Sequence, residues 1–287
     1  MERELWPRLY HLVMEVGKTL RLTDVSFQPH AIALVFLWAV LHDRPVCWAC
    51  KERNWATTTL RPFTLPSPST LSRRLRRIDT AMLMRALVER IRQEGEERLV
   101  AVIDAKPLPI GGAGQDPDAR CGRGAGMWAR GYKLYAVWGG RPMPETYRVY
   151  PMNISENKVA EEMIPQLTAG GYLLGDGEYD ANPVFDTAGA AGYQLLAPRE
   201  NPRAGLGHCY QSPYRLRCIE LMRSAFGLGI YRLRKAIERA YGNLTSFGGG
   251  LSPLPAWVRH QDRVWLWVTA KLLINGERIM FNKGLTA

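Results

Sequence analysis

The chain has 287 residues, and its 38 Lys and Arg against 27 Asp and Glu leave a net charge of +11. Apolar residues at 46% and charged residues at 23% exclude a disordered or membrane-embedded class. The charge favours a polyanionic partner, because each phosphate neutralised by Lys or Arg releases condensed counterions.

The first turn carries Glu2, Arg3, Glu4 and Arg8 without a following apolar run, so no secretory signal is expected. Ala31–Leu41 is the longest apolar stretch; it is too short to span a bilayer and predicts a buried core helix. The expected compartment is the reducing cytoplasm. Cys47 and Cys50 form a lone CxxC with no second pair to complete a zinc site, and predict a structural thiol pair on a helix. In PSPSTLSRRLRRI, Ser67 or Ser69 can cap a helix whose first turn accepts Pro68. Leu71, Leu75 and Ile78 recur at helical spacing and predict one buried stripe. Arg73, Arg74, Arg76 and Arg77 then form a cationic front, as the second helix of a helix-turn-helix needs in the major groove of double-stranded DNA. An ordinary amphipathic surface helix is the competing interpretation. A further helix, Ala81–Arg92, leads into a charged linker at Gly95–Glu97.

From Leu99 the pattern changes to short runs bounded by Gly or Pro. Leu99–Asp104, Tyr132–Trp138 and Glu145–Tyr150 predict an antiparallel meander. Glu156–Leu167 predicts a helix, Tyr172–Gly175 a strand, Ala181–Ala191 a helix and Tyr193–Ala197 a strand. Helices follow from Pro213, interrupted at Gly227 and Gly229 and again by GGGLSPLP at 248–255; Trp257, Trp265 and Trp267 fall in a core helix. An antiparallel start followed by crossovers predicts an α/β fold with a mixed sheet. The long loop Gly111–Gly126, with solvated Asp116 and Asp118, is expected to be mobile or ordered by a ligand.

Asp104 ends the run LVAVID, and Asp176 ends YLLGD between Gly175 and Gly177, which leave space for a ligand. Two carboxylates at neighbouring strand ends repel unless a cation lies between them, and a hard ion such as Mg²⁺ suits that role. Tyr231, Arg234 and Glu238 fall on one side of a helix whose neighbouring apolar stripe, Leu233, Ile237, Tyr241 and Leu244, would dock it on the sheet. Glu178, Asp180 and Glu220 are rival acids; Glu220 fits less well because of its spacing from Arg217. Arg130, Lys133, Arg199, Arg203, Arg215 and Arg217 are candidates for a cationic lining along a DNA backbone.

The spacing Tyr231-x2-Arg234-x3-Glu238 resembles the signature helix of bacterial insertion-sequence transposases of the DDE class. GYKLYAVWGGRPMP, NISENKVAEEMIPQL and LLGDGEYDANPVFD resemble further blocks of that family in the same order, over about residues 99–245. The resemblance implies a ribonuclease H-like catalytic domain over 96–287, preceded by a helical DNA-binding region over 1–95. It implies that Asp104, Asp176 and Glu238 hold two Mg²⁺ ions, with Mn²⁺ as the alternative, and that a homodimer acts on element ends and target DNA in the bacterial nucleoid. The family's signature ends in a Lys where this chain has Thr245, with Lys235, Arg239 or Lys271 as candidate substitutes. The expected activity is strand cleavage and strand transfer. The alternatives are a DNA-binding regulator or decayed transposase without catalysis, and a nuclease that never rejoins.

Overall fold

The computed structural model describes residues 2–20, 25–95, 98–111, 115–124, 126–206, 208–247, 250–251 and 253–284. Parts of the expected Gly95–Glu97 linker, of the 111–126 loop and of the 248–255 break lie outside the described residues. The chain forms two compact units, Gly95–Gly242 and a second made from Met1–Glu94 together with Asn243–Ala287.

The first unit is built on a six-stranded mixed sheet. Its strands are β1 (Val100–Pro109), β2 (Arg120–Gly124), β3 (Met127–Trp138), β4 (Thr146–Pro151), β5 (Gly171–Leu174) and β6 (Tyr193–Leu196). β3 pairs antiparallel with both β1 and β4, while β5 lies parallel to β1 and β6 parallel to β5. Helices α6 (Glu156–Met163), α7 (Asn182–Ala190) and α8 (Pro213–Leu221) flank the sheet, α6 against β4 and the other two against β6. They are followed by α9 (Ala225–Tyr231) and α10 (Lys235–Thr245). This is the mixed, helix-flanked, ribonuclease H-like architecture expected from the sequence.

Three local expectations change. Asp104 does not end its strand: β1 runs on to Pro109, and Asp104 sits opposite Ala136 in mid-strand. β5 pairs β1 only at Val100–Val102, so the later Pro107 and Pro109 fall where one side of β1 needs no donor from that neighbour. Part of the expected 111–126 loop is strand β2, paired with the first half of β3. α9 runs unbroken through Gly227 and Gly229; a Cβ at Gly227 would lie 2.1 Å from the Leu221 carbonyl oxygen, so close packing explains that glycine.

The other unit is helical in its N-terminal part: α1 (Glu2–Gly17), α2 (Pro29–Leu41), α3 (Val46–Ala49), α4 (Pro68–Arg74) and α5 (Ile78–Arg92). α2 is buried from Ile32 to Leu41, as its unbroken apolar run requires. Trp6 and Trp55 both lie edge-on or stacked against Trp38 at 4.7 Å, and each of the three indole N–H groups donates to a backbone carbonyl. Ser67 caps α4 by accepting the Thr70 N–H, with Pro68 in the first turn as expected.

The basic helix expected to run on to Ile78 stops at Arg74, and Arg77 stands at the N-cap position of a new helix, α5. Thr80 donates to the Arg74 carbonyl and Asp79 pairs with Arg74 and Arg77, which fixes this turn. Ile78 is consequently 77% exposed while Leu71 and Leu75 are buried.

α11 (Gln261–Asn282) belongs with these N-terminal helices and packs on α1, α2 and α5. It had been expected within a continuous 96–287 domain. Its buried residues run almost without interruption from Val264 to Glu277, and such a helix needs helical neighbours around it. Trp257 and Val258 precede it in a turn and are not part of the helix. Lys271 is fully buried in this unit, bonded to the Val40 carbonyl and paired with Asp43, so it is a structural cation and no substitute for the signature Lys. No helix among the described residues is long and apolar enough to cross a membrane.

Candidate active site

β1 delivers Asp104 and the loop after β5 delivers Asp176 to one cleft of about 620 Å³, whose lining also includes Lys133, Glu156 and Glu178. Asp104 accepts its neighbour's backbone N–H, from Ala105 at 2.8 Å. Asp176 caps a short turn by accepting the Glu178 N–H at 3.0 Å. Glu156, the first residue of α6, accepts from Lys133 Nζ at 2.9 Å.

Burial pushes the Asp104 carboxyl up to about 6; the Ala105 N–H opposes that shift, and the charges of Asp176 and Glu156 add to it. Burial also raises Glu156, against the pull of Lys133 and with a push from Asp176. Carboxylates gathered against their mutual repulsion are costly unless positive charge arrives. A donor set of hard oxygens in this condition fits a divalent cation such as Mg²⁺.

α10 supports this arrangement from one side. Tyr241 is buried; its hydroxyl donates to the Asp104 carbonyl at 3.0 Å, and its ring meets Trp138 edge-on. Just before α10, Arg234 places a guanidinium nitrogen 3.9 Å from Asp104 Oδ2, and Tyr231 donates to the Gly175 carbonyl at 3.2 Å. Glu238 lies between Arg234 and Tyr241 in sequence, near their side of the helix, but it is exposed and outside the cleft lining. The oxygens of Asp104 and Asp176 do not form a set lying wholly within 4.8 Å with either Glu238 or Glu156. Two ions draw on donors spread more widely than one ion's shell.

The remaining candidates separate by what holds them. Arg73 and Arg76 are exposed. Arg77 keeps 55% of its side chain exposed while pairing with Asp79, whereas Arg74 turns inward to the Phe27 carbonyl and Asp79. Arg130 donates to the Asp116 carbonyl, Arg199 braces its own loop at Pro202 and Ala204, and Lys133 is committed to Glu156. Arg215 clamps Asp180 through two bonds of 2.7 and 2.8 Å, which makes that rival acid a structural partner. Asp116 is buried and accepts from Tyr132 at 2.9 Å, so it is not the solvated loop residue expected. The space expected beside Gly175 is filled: a Cβ there would meet the Tyr179 ring at 2.8 Å.

Glu156 was not singled out from the sequence. The signal available was a lone Glu opening a helix after a strand, which usually means a favourable helix-dipole contact.

Residues 95–273 match the family model described as "Transposase DDE domain". No curated protein and no solved structure matches the chain.

Proposed function

This chain belongs to the transposase DDE domain family, and we propose that it cuts DNA at the ends of its mobile element and joins the freed ends to a target. The observation that carries this reading is the meeting of Asp104 and Asp176, 72 positions apart in the sequence, in one cleft with Glu156.

Asp104, Asp176 and Glu238 are the proposed metal ligands, for two Mg²⁺ ions or Mn²⁺ in their place. Bound divalent cations supply Lewis acidity to phosphodiester oxygens and lower the pKa of an attacking water. The chain's own residues do the positioning. β1 fixes the Asp104 backbone, Tyr241 ties that strand to α10, and Arg234 offers a cation beside the carboxylate. In cleavage, a water oxygen attacks phosphorus and the 3′ oxygen leaves, giving a 3′-OH and a 5′-phosphate. In joining, that 3′-OH forms a new phosphorus–oxygen bond with target DNA while the target's own 3′ oxygen departs.

Arg73, Arg76 and Arg77, together with the residual charge of the chain, are proposed to hold double-stranded DNA. A homodimer on DNA and residence at the bacterial nucleoid belong to the same proposal.

The test is metal-dependent nicking and strand transfer on a plasmid carrying the element's ends. Asp104→Asn, Asp176→Asn and Glu238→Gln should each lose both activities with DNA binding retained, and Glu220→Gln should keep them. The position of Glu156 on the cleft favours a second assignment, in which it is the third acid. Loss of nicking in Glu156→Gln with full activity in Glu238→Gln would select that assignment. Nicking without joined product would select the nuclease; no nicking by the unaltered protein would select the silent DNA binder, to which Thr245 points.

A further inference from the structure

The wall of the cleft carries a feature that carboxylate chemistry does not use. β2 and the first half of β3 form a two-stranded ribbon in which Arg123 pairs with Trp128 and Cys121 with Arg130. Cross-strand partners share a face, so Arg123 and Trp128 stand side by side. Both line the same cleft as Asp104 and Asp176. Trp128 is 76% exposed, although most of the chain's indoles are wholly or largely covered.

The ribbon's position is set by its glycines. A Cβ at Gly122 would lie 2.3 Å from the Met152 carbonyl oxygen, and one at Gly124 would lie 2.8 Å from Pro107 Cβ. Side chains at these two places would lift the ribbon off the body. Their absence lets one face lie close on Met152 and Pro107 while Arg123 and Trp128 project from the other, and residues of both faces line the cleft. An exposed indole costs hydration free energy and would be covered if its role were packing.

The geometry points to Trp128 as a stacking platform for an unpaired base of the DNA strand entering the cleft, with Arg123 on the adjoining phosphate. This inference rests on the proposed DNA-cutting role and adds a contact to it. An aromatic face beside a cation, at the edge of a site for a phosphodiester, is the pairing that single-stranded nucleic acid takes: bases stack irrespective of sequence, and the cation follows the backbone. A base pair in the interior of a duplex keeps both faces stacked on its neighbours and offers none to the indole.

The test uses the full chain in EDTA and two labelled DNAs of equal duplex length. One is blunt; the other carries a single-stranded oligothymidylate tail with 2-aminopurine at the first unpaired position. The unaltered protein should bind the tailed DNA about tenfold more tightly than the blunt one and change the 2-aminopurine fluorescence. Trp128→Ala should bind both DNAs with the blunt-duplex affinity and leave the fluorescence unchanged, while Trp128→Tyr should keep most of both effects. A Trp128→Ala protein that retains the preference and the fluorescence change overturns the inference, as does an unaltered protein that does not discriminate between the DNAs. Nicking of plasmid in Mg²⁺ is scored separately. Nicking without a Trp128 effect removes the stacking platform alone; a Trp128 effect without nicking removes the catalytic reading and leaves the DNA contact.

Discussion

The helical unit and the cleft of the sheet unit handle buried charge in opposite ways, although the sheet unit also holds one matched buried pair, Arg215 with Asp180. In the helical unit, buried charges meet an opposite partner: Lys271 meets Asp43, and Glu277, with its side chain 0% exposed, meets Arg8 at 3.0 Å. In the sheet unit, Asp104, Asp176 and Glu156 are brought together with Lys133 and Arg234 as the nearby cations. Matched burial holds helices in place and asks for nothing further. Mismatched burial raises the energy of the folded chain until a cation arrives, and so marks where chemistry takes place.

The sharpest way to break this contrast is Asp104→Asn. Nicking should fall by about a thousandfold or more, while stability moves the other way. The folded carboxyl titrates at about 6, above its ordinary value, so between those two values the folded state holds the extra proton. Stability therefore falls as pH rises through that window and stays low above it. Asp104→Asn should unfold about 2–3 kcal/mol later than the unaltered protein at pH 8 without divalent ions, and at the same point near pH 3. Adding Mg²⁺ at pH 8 should raise the melting temperature of the unaltered protein more than that of the variant. Denaturant titrations at both pH values check the sign.

Arg8→Ala probes the matched case. It leaves Glu277 buried without its charge partner and should cost about 3–5 kcal/mol at neutral pH. Burial already raises that carboxyl, so the loss should grow with rising pH and shrink in acid. Adding Glu277→Gln to Arg8→Ala should recover most of it in urea unfolding. A loss that persists in the double variant would mean that Arg8 acts by packing and that charge matching does not hold the helices.

The smallest effect belongs to a matched pair in the open. Arg148 and Glu162 bond at 2.6 Å with side chains 29% and 44% exposed. Arg148→Ala should change stability by less than about 1 kcal/mol, and the difference should fade in high salt. A larger change would show that pairing, irrespective of burial, is what stabilises this fold.

Much of this arrangement was legible in the sequence, and the exceptions share a cause. The second half of β3, β4 to β6 and the start of β1 announce themselves as apolar or alternating runs closed by Gly or Pro, and Ser67 with Pro68 announces α4. The strand β2 could not be seen, because RCGRG has no apolar alternation and its glycines answer to Met152 and Pro107, far away in sequence. Asp104 looked terminal because two prolines follow, and only the short reach of β5 explains why β1 tolerates them. Asp104, Asp176 and Glu238 stand out as acids in ordered segments. Glu156 and Asp116 depend on Lys133 and Tyr132, partners that only the sheet brings near. Ile78 followed the helical period correctly, but a tertiary clasp at Asp79 ended the helix first.

The mid-strand place of Asp104 carries one more consequence. Along β1, alternate side chains point to opposite faces, and eight successive pairings with β3, from Val102 to Pro109, set which residues face which way. Deleting a single residue before Asp104 within β1 would let the ladder re-form one step out of phase and turn this carboxyl to the reverse face. Such a chain could keep every acid named above and still be inert, since the reactive centre is written in the phase of a ladder as much as in its side chains.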